Sequence, residues 1–98
     1  MTAAELRLSA TAESGPPDGL TPELQALWLA KKDRWDEAHD IAQDIHTPDG
    51  SWIHALLHLI EGDTANAGYW YVRAGRPARG IREIDAEWDR IAVHLCGR

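Results

Sequence analysis

The chain has 98 residues, of which 44% are hydrophobic, and a formal charge of −6. That size holds one domain with a small core, and the composition is far from that of a disordered chain. The acidic balance disfavours a nucleic-acid binder, the lone Cys96 excludes an internal disulfide or a multi-cysteine zinc site, and no apolar run approaches the ~18 residues of a membrane span, so the expectation is a soluble cytoplasmic protein.

Residues 1–19 read as a flexible tail and residues 20–98 as a single helical domain. Between Met1 and Glu13 the only large apolar residues are Leu6 and Leu8, and Ser14-Gly15-Pro16-Pro17-Asp18-Gly19 then breaks regular structure. A short helix over Ala3–Glu13 is the alternative. The first helix of the domain starts at Thr21-Pro22-Glu23, which supplies an N-cap, a proline suited to the first helical position, and an acid for the positive end of the dipole. Leu24, Leu27 and Trp28 form its stripe, and Asp33-Arg34 makes the turn. A second helix runs from about Trp35 to Ile45, with Ala38, Ile41, Ala42 and Ile45 on one face.

The third helix begins between Thr47 and Ser51 and continues to about Glu61. Ile53, Leu56, Leu57 and Ile60 define its main face, and Trp52, Ala55 and Leu59 add a second apolar flank. A helix apolar over most of its circumference is packed on two sides, which places it at the centre of the domain. After Gly62-Asp63 a fourth helix spans Thr64–Ala74 with Ala67, Trp70, Tyr71 and Ala74 at helical spacing, and Gly75-Arg76-Pro77 stops it. The last helix, about Asp85–Leu95, caps the open end. The expectation is all-α: about five helices, as two stacked hairpins and a C-terminal capping helix. A core this small favours dimerisation or docking on a partner.

The two hairpins share a pattern, and their crossing residues Ala38 and Ala67 lie 29 residues apart. Gly62-Asp63, Ala67, Tyr71 and Ala74 reproduce the turn, small, aromatic and small positions of a tetratricopeptide repeat. The first hairpin matches at Trp35 and Ala38 only. Over about residues 22–77 the chain therefore resembles the tetratricopeptide-repeat (TPR) family, although that family repeats every ~34 residues. The segment Glu61–Gly75 is also similar to a stretch of small bacterial proteins without assigned activity. The resemblance implies a scaffold that binds another protein or a peptide.

Three polar stripes remain after the apolar faces are spent. His54, His58 and Glu61 at i, i+4 and i+7 share the only polar side of the third helix. Asn66, Tyr69 and Arg73 share the outer face of the fourth. His39, Gln43 and His46 flank the second, beside acidic residues that read as a solvated face. Hairpin packing brings the first two stripes together as a groove for a polar peptide or a small carboxylate, with an internal network as the other reading. A histidine pair at i, i+4 also suits a divalent metal, with Glu61 as third ligand, but His-Ala-Leu-Leu-His lacks the glutamate of the HExxH motif. No Ser-His-Asp or Cys-His arrangement can be assembled, and Arg73, Arg76, Arg79 and Arg82 form a local basic patch. The functional expectation is an interaction module for another protein, a peptide or a second copy, with no cofactor, nucleic acid or membrane. The partner-binding residues are His54, His58, Glu61, Asn66, Tyr69 and Arg73. The alternative is a small metal protein or enzyme using His54, His58 and Glu61.

Overall fold

The computed structural model describes residues 1–97. Among them the secondary structure is helical without strands: α1 (Ala3–Ala12), α2 (Pro22–Lys31), α3 (Trp35–Ala42), α4 (Pro48–Ile60), α5 (Thr64–Ala74) and α6 (Ile84–Cys96), with a short 3₁₀ turn, Ile81–Glu83, before α6. None of these helices is long and apolar enough to cross a membrane. The expected all-α class is observed, with six helices rather than five.

Helix starts follow local chemistry. Thr21 and Thr47 each accept a backbone N–H with their hydroxyl, and each precedes a proline at the first helical position. Gly50, in the first turn of α4, is required by close approach: a Cβ there would lie 2.2 Å from the Ile45 carbonyl oxygen. The chain between α3 and α4 is pressed against that turn, and α3 ends at Ala42 rather than at Ile45. Asp63 caps α5, accepting the Asn66 N–H at 3.1 Å.

Every residue from Gly50 to Leu59 is buried, so α4 is enclosed as its apolar circumference predicts. It packs most extensively on α5, and α2 does so on α3; α6 closes against both α2 and α4. Ala38 and Ala67 are fully buried, as expected of residues at helix crossings. The buried Trp88 indole of α6 donates to the Leu27 carbonyl oxygen at 2.8 Å, tying the last helix to the first hairpin.

The segment expected to be a flexible tail contains a docked helix. Thr2 and Glu5 form a reciprocal capping box that starts α1. Leu6, Ser9 and Ala10 then turn inward at i, i+3 and i+4 and are buried against α2 and α6. Ser9 accepts from the Trp28 indole N–H at 3.0 Å, and Arg7 pairs with Asp89 while lying over the Trp88 ring. A segment poor in large apolar residues docks here because one leucine, an alanine and a hydroxyl suffice where the partners are tryptophans.

A second polar feature belongs to the core. Glu87 on α6 is 1% exposed. Its carboxylate accepts from the Tyr71 hydroxyl at 2.6 Å, the Trp52 indole at 2.9 Å and Arg90 at 2.8 Å, with Arg79 3.9 Å away. Burial pushes its pKa up, but these donors outweigh burial and hold the carboxyl below its ordinary value. The same burial and bond raise the Tyr71 phenol. No local sequence feature marks Glu87, among many surface-like carboxylates, for burial.

Candidate functional site

Helices α3, α4 and α5 bring three imidazoles together. His54 and His58 leave α4 on one side, each 6% exposed, and meet His39 from α3, which is half-buried. His39 Nε2 and His54 Nε2 are 3.0 Å apart, and one ring nitrogen from each of the three histidines lies within 4.8 Å of the others. His54 and His58 are stacked at 4.9 Å between ring centroids, the spacing expected of i, i+4 neighbours.

Aromatic side chains fix this cluster from both sides. Trp70 of α5 stacks on His54 at 3.8 Å with the planes within 10°, and Trp35 stacks on His39 at 4.8 Å. The Trp35 indole N–H donates to the Leu57 carbonyl oxygen at 2.6 Å, which sets the ring over the cluster. Glu61 lies one turn beyond His58, with its carboxylate 2.6 Å from His58 Nδ1. Burial pushes the His54 pKa down to about 4, aided by the neighbouring His39 and His58, so this ring is neutral at pH 7.

A cleft of about 640 Å³ opens beside the cluster. Its polar lining is Gln43, His46, Thr47, Ser51, His54, Tyr69 and Arg73, with Trp70 as an aromatic wall. The Arg73 guanidinium lies 5.3 Å from the centre of the Trp70 ring, and its Nη1 donates to the Tyr69 hydroxyl oxygen at 3.3 Å. Among the described residues Arg73 has no carboxylate partner. Among the described residues no Asp or Glu lines the cleft, although the chain carries 16 of them.

The structure divides the residues singled out from sequence. His54, Tyr69 and Arg73 share the cleft. His58 and Glu61 form a pair one turn along α4, and Glu61 engages His58 rather than joining both histidines as a third ligand. The third imidazole is His39. Asn66 is exposed beside the cap of α5 and lies outside the cleft lining.

His39 and Gln43 do not belong wholly to a solvated acidic face. His39 turns toward α4 and Gln43 lines the cleft. The usable signal was that His39 directly follows the crossing residue Ala38 and lies four residues after Trp35, which puts it on the inner edge of its helix. The arginine run also disperses. Arg73 faces the cleft, whereas Arg76 lies 3.9 Å over the Trp52 ring and Arg79 approaches Glu83 and Glu87, so Arg73 stands apart from Arg76 and Arg79.

No protein-family model, curated protein or solved structure matches the chain.

Proposed function

We propose that this chain is a small TPR-like binding module of the cytoplasm, whose cleft between α3, α4 and α5 takes a carboxylate-bearing segment of another protein or peptide. The observation that carries this reading is the cleft's charge. In a chain of net charge −6, it is lined by a guanidinium and imidazoles and by no acid. Arg73 is held against Trp70 and Tyr69, so little rotamer freedom is lost when a carboxylate docks. Tyr69 and Trp70 supply the flat apolar area that anchors peptide contacts. Burial of Ala67, Tyr71 and Ala74, the positions that match the repeat pattern, supports TPR-like stacking of the hairpins α2–α3 and α4–α5. The unpaired thiol of Cys96 fits a reducing compartment.

Titrating the full chain with a Glu-rich peptide, followed by tryptophan fluorescence, tests the reading. Saturable quenching is expected, weakened at least tenfold in Tyr69→Ala/Arg73→Ala. Equal binding by parent and double variant would overturn it. Light scattering of the full chain alone would instead reveal a second copy as the partner.

A further inference from the structure

We infer that His39, His54 and His58 form a three-imidazole site for a borderline divalent cation of the zinc type, with Glu61 as the residue that positions His58. The inference is independent of what the cleft binds.

Three histidines with an open fourth position are an established ligand set for such an ion. In a tetrahedral site with Zn–N bonds of about 2.0–2.1 Å, two ligand nitrogens stand ~3.3 Å apart. His39 and His54 present Nε2 atoms 3.0 Å apart, close to that separation. The third nitrogen, from His58, lies within 4.8 Å of both, so all three rings converge on one point.

The surroundings are those of a held ligand set rather than of surface histidines. Trp35 and Trp70 fix the planes of His39 and His54 by stacking. Glu61 occupies Nδ1 of His58, which leaves Nε2 to ligate. A carboxylate on the far nitrogen of a ligating histidine orients the ring and raises its basicity. The other convergent group, His58, Glu61 and Asp63, is mostly exposed, and Asp63 is already engaged as the cap of α5. Because His54 also lines the cleft, the fourth position is left to water or to an anion entering there.

The experiment is titration of the chelator-stripped full chain with Zn²⁺ alone, by calorimetry and thermal melt, and with Co²⁺ by visible absorption. One ion per chain is expected, with a higher melting temperature and a tetrahedral cobalt spectrum. His39→Ala should abolish the cobalt spectrum and weaken zinc binding at least tenfold. Glu61→Gln should keep one ion per chain but weaken it ~10–100-fold, the range for residues that orient a ligand. Asp63→Asn, which preserves the cap, should change nothing. Failure to bind Zn²⁺, or binding that survives His39→Ala unchanged, would overturn the site. Should His39→Ala not fold, His39→Gln with the same cobalt readout decides between the same outcomes.

Discussion

Helix α4 supports two buried polar clusters of opposite design. Trp52 and His54 are two residues apart, about 200° around the helix, so they leave it on nearly opposite sides. On the Trp52 side the Glu87 carboxylate is saturated by a phenol, an indole and a guanidinium, and its charge is balanced. On the His54 side three imidazoles converge, and among the described residues the nearby Arg73 makes no ion pair with a carboxylate. A closed network of the first kind locks helices together. The second kind holds ring nitrogens and a guanidinium beside an open cleft, the arrangement that the proposed binding role requires. Under the proposed function, fold and function are separated across one helix.

The contrast can be broken most strongly at Glu87. Glu87→Ala leaves the Tyr71 hydroxyl and Trp52 indole without their acceptor, and should destabilise the domain by about 3–5 kcal/mol in urea denaturation. A loss below 1 kcal/mol would mean that the network is not a structural lock.

Acid separates the two clusters by the pH at which each fails. His54 has a folded pKa near 4 against an ordinary 6.5, so the unfolded chain takes up its proton first. Stability from this ring is present above pH 6.5 and declines as pH falls from 6.5 to 4, by of order 3 kcal/mol in total. Glu87 is shifted down, so its contribution is present above pH 4.5 and is lost only as pH falls below that. Denaturant melts in the presence of chelator should therefore show a slope beginning near pH 6.5 that disappears in His54→Asn. A flat profile down to pH 5 would show that the imidazoles are not effectively desolvated.

Removing residues 1–19 should cost about 2 kcal/mol, from the burial of Leu6 and the hydrogen bond between Ser9 and Trp28. A calorimetric melting temperature unchanged by the truncation would mean that α1 does not contribute to the core. The smallest effect is expected at the open cluster's rim. Tyr69→Ala/Arg73→Ala should change stability by no more than ~0.5 kcal/mol, because both residues are exposed. A loss comparable to that of Glu87→Ala would erase the distinction between the two sides of α4.

The sequence by itself determined most of the elements from Thr21 onward, though not the early end of α3 or the 3₁₀ turn before α6. Thr-Pro starts, glycine stops and 3.6-residue stripes are local, and they marked α2, α4 and α5 nearly to the residue. They also identified Ala38 and Ala67 as tight positions and α4 as central. His54 and His58 were legible as a pair because one helix spaces them. Only the tertiary structure decided what each stripe faces. Helical spacing relates side chains on one helix and carries no information about which side chain of another helix arrives beside them. His39 joining His54, Glu87 entering beneath Trp52 and Tyr71, and Ser9 meeting Trp28 are all meetings between helices. Each depends on crossing geometry and on desolvation that the packed chain imposes.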